Sequence, residues 1–301
     1  QPRGEPAMGI AQAADHARVV DRRLDLEPVA DDARVGQQPR AISLAVANGY
    51  YRIGDTEKAK VLYNEFFKQY DKVPSDPDLL RFYQESAYQF GQMLELAGDI
   101  DGAIKSYSRV LSASTDKATI RRLQSDVAGL YVRQAMKVPF EQKEKLLVEA
   151  KKLCETIQWG GLDIWFGQSI ITAANIDLVR GDKNAAQKIL KSNMDILKEI
   201  DKFIKEQGMP MSVSPMAGAR FLLGQLYQEQ AEAAMGKTDK QEAIDLLVKA
   251  LTEYYNVFAK YSESDWGPQA GLRIKEVEQK LQSLGKTVKP PNLGEHSVQI
   301  A

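Results

Sequence analysis

Apolar and small residues recur at helical spacing along the chain, most clearly in residues 84–111, QESAYQFGQMLELAGDIDGAIKSYSRVL. This stretch predicts two short amphipathic helices joined by a tight turn at Gly98-Asp99. Small and large residues alternate where the two helices would touch, at Gly91, Leu94, Gly98, Ala103, Tyr107 and Val110. A single hairpin of this kind cannot bury its apolar face alone, so the pattern predicts an all-α chain of neighbouring hairpins.

The same offsets recur in residues 41–70, where Gly54 is a predicted helix stop and Asp55 a predicted cap for the next helix. They are occupied there by Ala47, Tyr50, Gly54, Ala59, Tyr63 and Phe66. This order of small residue, aromatic residue, turn, alanine and large apolar residue resembles a tetratricopeptide repeat. The resemblance implies a right-handed α-solenoid of helical hairpins.

Three further repeats are stretched relative to these two, and they are marked by Ala128 and Tyr131, by Ala174 and Leu190, and by Gly224 and Ala250. Pro139 interrupts the third repeat, and the second helix of the fourth is predicted to run on towards Gln207. A last helix from about Pro268 to Gly285 would cover the final apolar face. We therefore expect about five hairpins and a capping helix within residues 41–285.

The two ends of the chain differ from this repeat region. Residues 1–40 contain six Arg, no Lys and no aromatic residue. Two interpretations stay open for them: an extended or disordered arm, or an arm whose one short helix docks on a partner or on a neighbouring copy of the chain. Residues 286–301, which include Pro290-Pro291, predict an extended tail.

Composition and charge exclude several classes of function. The chain is 44% hydrophobic and 27% charged, with a net charge of −1, so no overall field attracts nucleic acid or an anionic membrane. No apolar run approaches the length of about 18 residues that a transmembrane helix needs. The single cysteine, Cys154, allows neither a disulfide framework nor a paired-cysteine zinc site.

Residues typical of catalysis are scarce. The only histidines, His16 and His296, fall in the predicted arm and tail, which argues against a His-metal cluster or a catalytic triad. Gly236-Lys237-Thr238 resembles the end of a phosphate loop, but Ala231 stands where that motif requires glycine. We expect no enzymatic activity and no cofactor.

Two groups of side chains have a structural and a functional interpretation. Met209, Met211 and Met216 could bind Cu(I), but methionines more often fill irregular apolar gaps, so we expect no metal site. Trp159 and Trp165 could form an aromatic patch for a ligand, and the alternative is packing at an irregular junction.

Candidate binding residues follow from the family resemblance, which implies that the first helix of each hairpin lines a concave groove. The position after the small residue then faces outward and is occupied by Asn48, Gln92, Gly129, Asn175 and Gln225, four of them amides. Such amides could pair with the backbone of an extended peptide, or could simply solvate an exposed face. The lysine positions of the family's carboxylate clamp hold other residues, which make the groove partly apolar. The predicted site comprises Leu44, Asn48, Tyr51, Tyr88, Gln92, Ile171, Asn175, Phe221 and Gln225.

The leading hypothesis is a non-enzymatic protein–protein interaction scaffold, or an accessory subunit of a larger assembly, that binds through this groove and its terminal arms. The alternative is a periplasmic envelope-assembly or client-delivery factor that holds extended peptides transiently. YSESDWGPQAGLRI resembles the repeats of bacterial periplasmic proteins of that kind, and the polar Gln1-Pro2 start fits removal of an export signal. An exported, periplasmic location is therefore expected, with a cytoplasmic one as the alternative, and one or more proteins as partners.

Overall fold

The computed structural model describes residues 37–236 and 240–288, and within them the secondary structure is helical without a strand. The predicted arm (1–40) and tail (286–301) therefore lie almost wholly outside the described residues. The helices are α1 (Gln37–Arg52), α2 (Thr56–Gln69), α3 (Pro77–Leu96), α4 (Ile100–Ala113), α5 (Lys117–Ala135), α6 (Phe140–Trp159), α7 (Ile164–Arg180), α8 (Lys183–Ser192), α9 (Met194–Glu206), α10 (Pro215–Gly236), α11 (Lys240–Lys260) and α12 (Gly267–Ser283), with a short 3-10 helix at Met211–Val213.

Two compact units make up the chain, unit 1 (Gln1–Leu123) and unit 2 (Gln124–Ala301). In unit 1, α1 packs on α2, α3 packs on α4, and α1 also contacts α3. In unit 2, α7 packs on α8 and α10 packs on α11, while α6 and α12 pack on α7 and α11. Neighbouring helices thus form packed pairs, as expected of a helical repeat fold.

Helix starts and stops follow the predicted local signals. The carboxylate of Asp55 accepts a hydrogen bond from the backbone nitrogen of Lys58 at 3.2 Å, and Asp99 accepts one from Gly102 at 3.0 Å. Asp163 likewise accepts from the backbone nitrogen of Phe166 at 2.8 Å and caps α7. These carboxylates satisfy amides that a helix leaves without a backbone partner.

Close approach within the hairpins depends on small residues. A Cβ atom placed on Gly91 would lie 2.5 Å from Cε1 of Tyr107, closer than real atoms approach. Ala47 and Ala59 of the first hairpin are likewise buried. The predicted alternation of small and large residues is confirmed, because the tyrosine ring occupies the space that a side chain at Gly91 would need.

One predicted helix is wrong. The second helix of the fourth hairpin does not continue to Gln207, because α8 ends at Ser192 and α9 begins at Met194. Between them, Asn193 donates from its side-chain amide to the backbone carbonyl of Ile189 at 2.8 Å. This bond uses a carbonyl that would otherwise bond within the helix, which is how asparagine side chains end helices.

The last helix, α12, has the bounds that the sequence predicts. Gly285 follows it with a positive φ of 79°, a conformation that favours glycine. Its apolar face packs with α11 around Val277 and Leu281. At its start, the Trp266 ring lies 4.9 Å from that of Phe221.

Candidate functional site

The nine predicted site residues divide into a buried and a half-buried group. Leu44, Asn48, Ile171 and Phe221 are at most 2% exposed. Half-buried positions are held by Tyr51, Tyr88, Gln92, Asn175 and Gln225. Burial removes the first group from any surface that is open in this structure, because these side chains point at a packed neighbouring helix. Only the second group can meet a partner without a rearrangement of helices.

Asn48 links three helices of unit 1 rather than facing solvent. Its Oδ1 lies 2.8 Å from the hydroxyl of Tyr63 on α2 and 2.8 Å from that of Ser86 on α3. Tyr63 also lies 2.6 Å from Oε1 of Gln89. A tyrosine hydroxyl carries one proton, so Tyr63 donates to only one of these two amides. Asn48 therefore belongs to the interior of the hairpins, where its Oδ1 is satisfied and its Nδ2 has no hydrogen-bond partner within the described residues.

Three of the half-buried residues come together in unit 1. The hydroxyl of Tyr51 on α1 donates to Oε1 of Gln92 on α3 at 3.4 Å, and Nε2 of Gln92 donates to the hydroxyl of Tyr88 at 3.2 Å. Arg122 on α5 donates to the same hydroxyl, with its guanidinium 5.1 Å from the centre of the Tyr88 ring. We call Tyr51, Tyr88, Gln92 and Arg122 the tyrosine–amide face.

Charged residues border this face along α1 and α3. Arg52 forms an ion pair with Glu85 at 2.6 Å, and Glu85 accepts a second hydrogen bond from Gln89 at 3.1 Å. Behind them, the pKa of Tyr63 is raised, mainly by burial of its hydroxyl and secondly by the nearby Glu85 carboxylate. Tyr63 therefore stays neutral at physiological pH, and the Arg52–Glu85 pair places one positive and one negative side chain beside the face.

Asn175 and Gln225 lie apart from these residues, in unit 2. Asn175 is on α7 and Gln225 on α10, two helices that contact each other. Beside them, Ile171 is buried in a core cluster that also contains Leu223 and Leu226. Unit 2 therefore presents two half-buried amides next to a buried apolar interior.

Unit 2 also holds a buried polar cluster. The carboxylate of Asp201 on α9 accepts hydrogen bonds from the hydroxyls of Ser214 and Tyr261. Arg220 on α10 pairs with Glu253 on α11 at 2.7 Å, with their side chains 17% and 19% exposed. Burial, and then the Asp201 carboxylate, raise the pKa of Tyr261. These groups bond to one another and join several segments, which indicates a structural role, while Nε of Arg220 has no hydrogen-bond partner within the described residues.

Sequence reasoning missed a groove between α2 and α4 of unit 1, with α3 beneath it. The groove has a volume of about 520 Å³. It is lined by Lys60, Asn64, Phe67, Lys68, Asp71, Phe90, Leu94, Asp99, Gly102, Lys105 and Arg109. Lys60, Asn64 and Lys68 recur at every fourth residue of α2, a signal that could have marked one face of that helix. We call this feature the α2–α4 groove.

The methionine and tryptophan groups show contrasting placements. Met216 is buried, and Met209 and Met211 pack against the same core cluster of unit 2, so all three fill apolar space. Trp159 is 90% exposed at the end of α6, and its predicted packing at a junction is wrong. Trp165 is half-buried.

The lone thiol of Cys154 is buried in α6, and this burial raises its pKa to about 12. The thiol is therefore protonated at neutral pH, and a nucleophilic cysteine needs its thiolate. Residues 37–236 and 240–288 contain no cluster of three or more His, Cys, Asp or Glu side chains arranged to hold a metal ion. His16 and His296 lie outside these residues. None of the helices in the same ranges combines the length and apolar character needed to cross a bilayer.

In sequence comparisons with known proteins, neither a family profile nor a curated relative matches this chain. The tetratricopeptide resemblance therefore rests on the spacing of small and aromatic residues, and the structure adds packed helix pairs at those positions.

Proposed function

We propose that this chain is a non-enzymatic protein-interaction scaffold, or accessory subunit of a larger assembly, that binds an extended segment of a partner protein on the tyrosine–amide face. The observation that carries the proposal is the hydrogen-bonded series from Tyr51 through Gln92 to Tyr88. It spans two first helices of adjacent hairpins, α1 and α3, and its side chains are half-buried. The hairpins would then be repeats of the tetratricopeptide type.

Hydrogen-bond geometry supports exchange of one internal bond for a bond to a peptide. The Tyr51–Gln92 distance of 3.4 Å is at the long end for a hydrogen bond, so little is lost when it opens. A peptide N–H could then donate to Oε1 of Gln92 at the usual distance of about 2.9 Å. Main-chain pairing of this kind binds extended peptides with little dependence on their side chains.

The tyrosine rings supply the apolar part of the same surface. Tyrosine offers a large, stiff contact area and loses little conformational entropy on binding, which is why it is frequent in protein-binding surfaces. Tyr88 is held between the Tyr107 ring, 5.8 Å away, and the Arg122 guanidinium. Its ring is thus oriented before a partner arrives, which lowers the cost of binding.

Selection from a displayed peptide library tests the proposal. The immobilised chain is expected to enrich a set of related peptides, and the Tyr51→Phe, Gln92→Leu variant is expected to lose them. Gln225→Leu, which changes the corresponding position of unit 2, is the matched control and should enrich the same peptides as the parent chain. Thermal unfolding of all three proteins shows that each is folded.

The proposal is contradicted if the double variant enriches the same peptides as the parent, or if the Gln225→Leu variant alone loses them. Failure of the parent to enrich any peptide would also count against it. Tyr51→Phe alone removes one hydroxyl, and should weaken binding less than the double variant. A right-handed solenoid, an exported location and membership of a multi-subunit assembly stay predictions.

A further inference from the structure

The α2–α4 groove lies on the opposite side of α3 from the tyrosine–amide face. Phe90 and Leu94 line the groove and follow Tyr88 and Gln92 by two residues, which is about 200° around a helix. Phe67 and Phe90 form its floor, with stacked rings 5.9 Å apart. The groove is therefore a second surface of unit 1, independent of the proposed function.

Positive charge surrounds this apolar floor. Lys60 and Lys68 on α2 and Lys105 and Arg109 on α4 line the groove, together with the two acidic residues Asp71 and Asp99. Four basic and two acidic side chains leave an excess of two positive charges. A ligand with carboxylates beside apolar side chains would complement such a surface.

The two acidic residues already have partners. Asp71 pairs with Arg109 at 3.0 Å, and Asp99 caps α4 through the backbone nitrogen of Gly102. Arg109 also lies 4.7 Å from the centre of the Phe67 ring, and within the described residues its buried Nε has no hydrogen-bond acceptor. A carboxylate in the groove could therefore add to the contacts of Arg109.

A segment of suitable chemistry precedes α1 in the same chain. Residues 24–32, LDLEPVADD, contain four acidic and no basic residues, with Leu24, Leu26 and Val29 between them. These residues lie outside the described part of the chain. Their net charge of −4 is opposite in sign to that of the groove.

The position of the start of α1 brings this segment within reach. The guanidinium of Arg40 lies 4.3 Å from the centre of the Tyr70 ring, and Tyr70 directly precedes Asp71, which lines the groove. From Asp32 to Gln37 the chain spans at most roughly 17 Å, and from Leu24 to Gln37 roughly 43 Å. A tether this short gives a high effective concentration of the segment at the groove.

We propose that residues 24–32 bind in the α2–α4 groove of their own chain. Leucine or valine side chains contact the Phe67–Phe90 floor, and the carboxylates face Lys60, Lys68 and Lys105. Because the attraction is partly between exposed charges, added salt weakens it. An acidic segment of another protein would have to displace residues 24–32 before it could bind there.

Photo-cross-linking of the full chain tests this proposal. A benzophenone amino acid at Asn64, which lines the groove, is expected to cross-link to residues 24–32, identified by mass spectrometry of the digested protein. The same amino acid at Val61, which is exposed on α2 outside the groove, is the matched control and should not. Lys60→Glu with Lys105→Glu should lower the yield from position 64 by roughly tenfold at low salt.

A second variant changes only the segment. Asp25→Asn, Glu27→Gln, Asp31→Asn and Asp32→Asn together should lower the yield similarly without altering the helices. The proposal is overturned if position 64 gives no cross-link to residues 24–32, if position 61 gives as much, or if the charge changes have no effect. The remaining alternative is that residues 24–32 of a second copy occupy the groove, and mixing isotope-labelled with unlabelled chains tests it. Cross-links between labelled and unlabelled chains would identify the second copy as the occupant and overturn binding within the same chain.

Discussion

Hairpin α3–α4 in unit 1 and hairpin α10–α11 in unit 2 are closed by the same device, a glycine against a tyrosine ring. A Cβ atom on Gly91 would lie 2.5 Å from Tyr107, and one on Gly224 would lie 2.6 Å from Tyr254. The helices differ in length, with 20 and 14 residues in the first hairpin and 22 and 21 in the second. The same contact therefore serves hairpins of different size.

The surroundings of the two tyrosines differ more than the contact itself. Tyr107 lies beside Tyr88 of the tyrosine–amide face, and its hydroxyl donates to Glu95 at 3.1 Å. Tyr254 is fully buried, 5.5 Å from the Phe221 ring, and its hydroxyl donates to Gln228 at 3.2 Å. The glycine–tyrosine pattern thus indicates how the two helices of a hairpin pack. Function depends on which side chains the rest of each hairpin exposes.

Replacing the two glycines with a larger residue should have the largest effect on the free energy of unfolding. Gly224→Leu is expected to lower the free energy of unfolding by about 3 kcal/mol or more, because the buried Tyr254 ring occupies the space that the new side chain would need. Gly91→Leu should cost somewhat less, since Tyr107 lies nearer the surface of its hairpin. Urea unfolding followed by circular dichroism measures both. Equal stability of either variant and the parent would show that the ring contact is not close in solution.

Removing one arginine from each unit separates buried from exposed ion pairs. Arg220→Met should cost about 2 kcal/mol, because Glu253 would stay mostly buried without its cation. Arg52→Met should cost about 0.5 kcal/mol or less, since the Arg52 side chain is 66% exposed and Glu85 keeps its bond from Gln89. Urea unfolding at low and high salt distinguishes the two ion pairs. A similar loss of unfolding free energy for both variants would contradict the difference in burial between the pairs.

Alkaline pH should weaken unit 2 in particular. Burial raises the pKa values of Tyr254, Tyr255 and Tyr261, so the folded chain keeps protons that the unfolded chain releases near pH 10. Stability is therefore complete below about pH 10 and falls as the pH rises further, by about 1.4 kcal/mol for each pH unit and tyrosine. Unfolding free energies measured across this range check the sign, and Tyr255→Phe should reduce the slope.

The smallest expected effect is a gain in stability from replacing two helical glycines with alanine. Gly49 in α1 and Gly129 in α5 are helical glycines at which an added Cβ would meet nothing within 4 Å. Gly49→Ala and Gly129→Ala should each raise the free energy of unfolding by about 0.5–1 kcal/mol, because alanine loses less backbone entropy in a helix. Gly49→Leu and Gly129→Leu are the matched controls for Gly91→Leu and Gly224→Leu, because the added Cβ meets no atom there. A loss of stability would show that these positions are packed.

Signals within a few residues predicted the helices well. Gly54 with Asp55, and Gly98 with Asp99, act through their own backbone neighbours, so a single sequence contains what is needed. Asn193 gave no such signal, since asparagine is tolerated inside helices and ends α8 only through its bond to Ile189.

The candidate site was predicted only in part. Whether a side chain faces solvent or a neighbouring helix depends on residues that are distant in sequence. Asn48 and Gln92 occupy the same offset in their hairpins, yet Asn48 is enclosed by Tyr63 and Ser86 while Gln92 stays half-buried. The α2–α4 groove combines residues about 40 positions apart, such as Asn64 and Lys105. Helical periodicity assigns a side to each residue but not the neighbour that covers it.

Hydrogen–deuterium exchange of the full chain, with and without a peptide selected by panning, tests most directly whether unit 1 carries the binding surface. The account predicts slower exchange in the segments that carry Tyr51, Tyr88 with Gln92, and Arg122, and no change in α7 or α10. Protection confined to the segments around Asn175 and Gln225 would contradict it.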